Sequence, residues 1–167
     1  VILVCDDDIM FKRKIRKMFS QISPDHEVID TCSCFSLIDL LHDCERHNDF
    51  PEVVLIDMMM PVKTGIECID IVRKRFPSIP CIAMSTSMSE RLMRETYAHG
   101  FNALLHKTLN NDDLNEQLSA IDKMWLQRPM PSWRAKKYKT ETQRVERRGN
   151  HRLGKNRTMD IDNKGSN

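Results

Sequence analysis

The chain has 167 residues, 40% apolar and 30% charged, with a formal net charge of +2 at neutral pH. Such a composition describes a soluble globular protein, long enough for one well-buried core and too short for two, so one domain with an appendage is expected. No run approaches the roughly 20 apolar residues that cross a bilayer, and the apolar start VILVC is cut off by charge, so neither membrane insertion nor secretion is expected.

The first run, VILVC (1–5), reads as a strand and ends in three consecutive aspartates, Asp6, Asp7 and Asp8. Like charges crowded at the end of a buried run are unfavourable unless something positive sits among them. Phe11, Ile15, Met18 and Phe19 then recur at helical spacing, with the basic run KRKIRK on the same segment, read as a solvated face or, with slight preference, a partner contact. EVIDT (27–31) is a second strand, followed by a helix on Leu37, Ile38, Leu41 and Cys44. EVVLI (52–56) is a third, with Asp57 immediately after it in DMMMPVKTG, and a helix on Ile66, Ile69, Ile71 and Val72. PCIAM (80–84) runs into Ser85 and precedes a helix on Met88, Leu92, Met93 and Tyr97. NALL (102–105) runs into HKT, with Lys107, before a last helix on Leu114, Leu118, Ile121 and Trp125. The strands are apolar or β-branched throughout, the mark of strands buried on both faces. Strict alternation of strand and helix predicts a parallel sheet with right-handed crossovers and helices on both faces, a doubly wound α/β fold whose ligands gather beyond the carboxyl ends of the strands.

In a 2-1-3-4-5 sheet the first and third strands are neighbours across the switch point, and Asp6, Asp7 and Asp57 would therefore converge in one cleft. Capping of the next helix accounts for Asp8, as aspartate commonly does this, but not for the other three together. A hard divalent cation does account for them: Mg²⁺ takes oxygen ligands and is held by one or two carboxylates with waters and a phosphate group. Ser85 brings a hydroxyl and Lys107 an ammonium to the same rim. Acid pair, central acid, hydroxyl and lysine at successive strand ends are the parts needed to handle a phosphoryl group.

Other features are quieter. The six cysteines lack the paired spacing of a zinc site or a disulfide scaffold and read as reduced thiols in a cytoplasm; the C-x-C of Cys32 and Cys34 has no second pair to complete a metal site. No histidine pair has metal spacing, and His106 reads as a strand-end residue. The three methionines 58–60 read as loop packing beside the site. Charge is unevenly placed: through Trp125 there are 14 Lys+Arg against 20 Asp+Glu, and afterwards 12 against 4. Pro129 and Pro131 mark a boundary, so residues 1–127 form the domain and 128–167 a basic, weakly structured tail or linker. The first residue is Val rather than Met, which is compatible with a fragment.

At this point the sequence resembles the receiver domain of two-component response regulators, over about residues 1–127. LVCDDD is similar to its acidic-pair strand, DMMMPVKTG to its D-x-x-M-P-x-x-x-G phosphoacceptor motif, PCIAMST to its hydroxyl strand and GFNALLHK to its lysine strand. The resemblance implies a flavodoxin-like, five-stranded parallel sheet in the order 2-1-3-4-5. It implies Asp57 as the phosphoacceptor, Asp6, Asp7 and the Met59 carbonyl with Asp57 as Mg²⁺ ligands, Ser85 as the residue that senses the phosphoryl group, and Lys107 as its counter-ion. It further implies a histidine kinase or phosphotransfer protein as donor, a downstream protein target, and self-catalysed phosphotransfer and dephosphorylation rather than turnover of a separate substrate. Three positions depart from the family: Leu104 replaces a switching aromatic, Thr86 a small residue after the hydroxyl, and Thr108 the proline after the lysine. Without that proline, a trans Lys107–Thr108 bond is expected, with Lys107 still reaching Asp57. The alternative reading is a nucleic-acid-binding regulator whose output region is the basic tail or is absent from the fragment; no recognition helix or stacking platform is visible in it. RRGNHR and DIDNKG in the tail faintly resemble cyclic-dinucleotide-binding PilZ elements, with too few residues between them. A dehalogenase-type phosphatase is a third option, but no D-x-D-x-[TV] follows any strand.

Overall fold

The computed structural model describes residues 1–127; the expectations for the tail, 128–167, lie outside the described residues. Strands and helices alternate as β1 (Ile2–Cys5), α1 (Ile9–Ile22), β2 (Val28–Thr31), α2 (Cys34–His47), β3 (Val53–Asp57), α3 (Gly65–Arg75), β4 (Cys81–Ser85), α4 (Glu90–Ala98), β5 (Ala103–His106) and α5 (Asn111–Ile121), with a final wide turn of helix over Asp122–Leu126. The five strands form one parallel sheet in the order β2-β1-β3-β4-β5. No helix among the described residues is long and apolar enough to cross a membrane.

Alternation along the central strands sends successive side chains to opposite faces. Leu3, Cys5, Val54, Ile56 and Ala83 pack with Leu37, Leu41, Ile69 and Val72 of α2 and α3. Ile2, Val4, Leu55, Ile82 and Met84 pack with Ile15 and Phe19 of α1 and Leu114 and Leu118 of α5. β1, β3 and β4 are buried at every position, whereas the edge strands β2 and β5 are buried only at Thr31 and Leu105, so burial on both faces holds for the central strands alone.

Two further expectations are corrected. β3 and β4 run one residue further than their apolar letters, so Asp57 is the last residue of β3 and sits opposite Met84 in the ladder, and Ser85 ends β4. On α4 the apolar spacing does not mark a core stripe: Thr96 is its only buried residue, Tyr97 is 55% exposed and Met88, just before it, 42%. The helix lies against the sheet margin, where there is less apolar surface to cover.

Each of α1 to α5 starts on a side-chain cap: Asp8, Ser33, Thr64, Ser89 and Asn110 accept from backbone N–H groups of the first turn, and Thr64 with Glu67 forms a reciprocal capping box. The opposite end of the sheet is held by Arg73. Its guanidinium donates to the carbonyls of Gly100 (2.8 Å) and Ile79 (2.7 Å) and to the Asn102 side-chain oxygen (2.9 Å), which also accepts from the Cys81 N–H. Gly100, at φ +88°, takes a backbone conformation that side chains rarely adopt. On the outer edge, the Gln117 amide of α5 accepts from the His106 N–H at 2.8 Å and donates to the His106 carbonyl at 3.4 Å.

Candidate functional site

The carboxyl ends of β1, β3, β4 and β5 carry the site. Asp6 follows β1 and is fully buried; one carboxylate oxygen accepts from the Asp8 N–H at 2.8 Å, the other from Lys107 Nζ at 2.8 Å. Lys107 follows β5, and its backbone N–H bonds the Ser85 carbonyl at 2.7 Å, which fixes where the side chain starts. Its ammonium also reaches Asp57 Oδ2 at 3.2 Å and lies 4.7 Å from the centre of the Phe11 ring. Lys107 is thus the positive group among the crowded aspartates. No cis peptide bond occurs among the described residues, so the bond before Thr108 is trans and Lys107 still reaches Asp57.

Asp6, Asp7 and Asp57 present carboxylate oxygens within 4.8 Å of one another, the one cluster of three or more metal-ligating side chains among the described residues. Asp7 is exposed; Asp6 and Asp57 are not. Asp8 does not join them, because its carboxylate accepts from the Met10 and Phe11 N–H groups at 2.8 and 3.1 Å. Three oxygen-donor carboxylates against one lysine suit a hard divalent cation. Burial holds the Asp57 carboxyl above the usual carboxylate range, the Asp6 charge adds to this, and Lys107 only partly opposes it. For Lys107, burial alone would lower its pKa, but the hydrogen bonds and charges of Asp6 and Asp57 outweigh it and the net shift is upward.

Ser85 is buried, and its hydroxyl oxygen accepts from the Ser87 N–H at 3.1 Å, which leaves the hydroxyl proton free to donate. Met59 N–H points back to Asp57 Oδ1 at 3.4 Å. Gly65 is required by space: a methyl group there would stand 2.6 Å from the Asp57 carbonyl oxygen. Val62, in the same loop, holds φ at +70°, a strained conformation for a β-branched residue.

Sequence reading missed Lys12, which is buried on α1 and donates to the Thr31 carbonyl at 3.1 Å; that carbonyl also accepts the Asp6 N–H at 3.2 Å. It missed Phe11 beneath Lys107 as well, since its apolar spacing marks only a core face. The C-x-C pair separates, with Cys32 exposed and Cys34 buried. Burial pushes the Cys44 thiol up to about 12 and that of Cys81 to about 11, so these are packing residues.

A doubly wound sheet with carboxylates, lysine and hydroxyl at its switch point defines a class of phosphate-handling signalling domain, and comparison with known proteins gives the same class. The chain belongs to the response regulator receiver domain family, whose model matches residues 2–119. It is 25% identical over 132 residues to the response regulator Rcp1 of Synechocystis sp., covering 76% of this chain and 89% of Rcp1. The "Probable methanogenesis regulatory protein FilR2" of Methanothrix harundinacea is 31% identical over 78 residues, 46% of this chain, and this chain spans only half of that relative's length. The Mn²⁺-bound crystal structure of Rcp1 superposes with a TM-score of 0.66 at 25% identity, covering 78% of this chain and 98% of that one.

Proposed function

We propose that Asp57 accepts a phosphoryl group from a phosphohistidine on a histidine kinase or phosphotransfer protein, in a Mg²⁺-dependent reaction, and that the product signals through a changed protein-binding surface. The observation that carries this reading is the Lys107 ammonium held between Asp6 and Asp57 at the carboxyl ends of β5, β1 and β3. A carboxylate oxygen of Asp57 attacks phosphorus, the P–N bond to the donor imidazole breaks, and the imidazole keeps the electron pair and takes a proton. Lys107 stands ready to follow the phosphoryl oxygens, and Ser85 donates its proton to one of them. Asp6, Asp7, Asp57 and the Met59 carbonyl would hold the cation, which supplies charge neutralisation on those oxygens. That Rcp1 has been solved with Mn²⁺ supports a divalent cation here. Water later hydrolyses the acyl phosphate, so donor transfer and dephosphorylation are both catalysed by the receiver itself.

Incubation with acetyl phosphate and Mg²⁺, followed by peptide mapping, tests the assignment. Label is expected on Asp57, none on Asp57→Asn, and a larger loss of metal affinity in Asp7→Asn than in Asp8→Asn. Robust labelling of Asp57→Asn at another residue sinks the assignment, and equal metal losses overturn the ligand set.

A further inference from the structure

The Lys107 ammonium is held by α1 as well as by the aspartates. Phe11 and Lys14 stand three residues apart on α1, so their side chains share one strip of the helix. The Phe11 ring lies under the ammonium, with Nζ 4.7 Å from the ring centre. Lys14 Nζ lies 3.4 and 3.5 Å from the carbonyls of Thr108 and Leu109, the two residues that follow Lys107. Lys12 donates to the Thr31 carbonyl and Arg16 pairs with Asp30, so three of the five cations of KRKIRK are engaged within the domain rather than forming a plain solvated face.

The backbone at Lys107 is fixed by its own hydrogen bonds. Thr108 N–H donates back to the His106 carbonyl at 2.9 Å, which closes a γ-turn centred on Lys107, and the Thr108 hydroxyl accepts from the Asn110 N–H at 3.1 Å. These bonds set where the side chain starts, but its flexible four-carbon stem leaves the far end open. Asp6 and Asp57 each take one N–H donor of the ammonium. The ring attracts the charge without taking a donor, so the third N–H stays available for a phosphoryl oxygen. Burial strengthens that attraction, and the Lys107 side chain is only 10% exposed. It also tolerates a swing of the ammonium from Asp57 towards a phosphoryl group, because it acts anywhere within about 6 Å of the ring centre.

We infer that Phe11 and Lys14 are positioning residues for phosphoryl transfer: the ring holds the Lys107 ammonium at the acid cluster, and Lys14 ties the backbone that follows it to α1. This rests on the reading of Asp57 as phosphoacceptor. If Phe11 only filled space beside the core, which it also borders, any apolar side chain of similar bulk would serve equally well.

The experiment measures the rate of labelling of the full chain by sub-saturating acetyl phosphate with Mg²⁺. Phe11→Leu and Phe11→Met keep apolar bulk but lose the ring, and each should slow labelling about three- to tenfold, the worth of a partly desolvated cation over a ring. Phe11→Tyr should retain the rate. Lys14→Met should slow labelling about twofold or more, as loss of a charged donor does, and Lys14→Arg should retain it. Proton NMR gives a reading independent of turnover: the Lys107 Hε protons should stand upfield of ordinary lysine values through the ring current, and return to them in Phe11→Leu. Unchanged labelling in Lys14→Met or in both ringless variants, a loss as large in Phe11→Tyr, or Lys107 Hε at ordinary values in the unaltered chain overturns the inference. No label on the unaltered chain overturns the phosphoacceptor reading and this inference with it, whereas label on Asp57 that is indifferent to these variants overturns the inference alone.

Discussion

At Asp57 the chain accepts a destabilising charge. A carboxyl whose pKa is raised on folding adds stability only while protonated, so its contribution is present below the unfolded value of 3.8 and is lost as pH rises through the higher folded value. Asp57→Asn should therefore melt at a higher temperature than the unaltered chain at neutral pH in EDTA, and the gap should close as pH falls towards 3.8. Saturating Mg²⁺ should narrow or reverse the gap, because a cation binding only the folded state stabilises the chain that still has the full ligand set. Thermal melts across pH, with and without Mg²⁺, check both; an Asn variant less stable at neutral pH in EDTA would contradict the sign. At this scale the site was largely legible. Asp6, Asp7, Asp57, Ser85 and Lys107 stand out because charged or hydroxyl residues at the ends of apolar runs need a reason. Lys12 and Phe11 were not legible: nothing in a sequence tells a buried lysine on a carbonyl from its exposed neighbours.

Elements were legible where burial dictates pattern and blurred where it does not. The three central strands read clearly because both their faces are covered. Their carboxyl ends did not, because Asp57 and Ser85 take part in the ladder despite being polar. α4 misled for the opposite reason: apolar letters at helical spacing do not make a core when the helix lies at the sheet margin. The Arg73 fork between α3, the start of β4 and the turn before β5 is likewise invisible to any periodicity. Arg73→Ala should lower stability by about 1–2 kcal/mol, since it strips charge-assisted hydrogen bonds from the part-buried Ile79 carbonyl and from the exposed Gly100 carbonyl and Asn102 side chain. Arg73→Lys should recover only part of the loss, because an ammonium cannot reproduce a planar fork. Urea denaturation measures both, and full recovery by Lys would show that charge rather than geometry matters.

For the molecule as a whole, the order 2-1-3-4-5 lets residues 50 and 101 positions apart meet in one site: Lys107 touches Asp57 and Asp6 because their strands end on the same side of the sheet. The parallel, doubly wound sheet was legible from the alternation of elements, whereas its strand order was implied by the resemblance to receiver domains. The side-chain bridge over the last strand was not legible, and it bears on how copies of the chain behave together. By occupying both outward-facing backbone groups of His106, the Gln117 amide acts as a surrogate neighbouring strand and leaves less open edge for another chain to extend the sheet. Gln117→Ala should unmask that edge: the His106 amide should exchange with deuterium faster, and light scattering should show self-association growing with protein concentration. A variant that stays monomeric with a protected His106 amide would mean that the edge is guarded by something else. Self-association of Gln117→Ala would give the glutamine a role in solubility rather than signalling, a safeguard against fibre-like growth placed on His106, the residue before Lys107 of the candidate site.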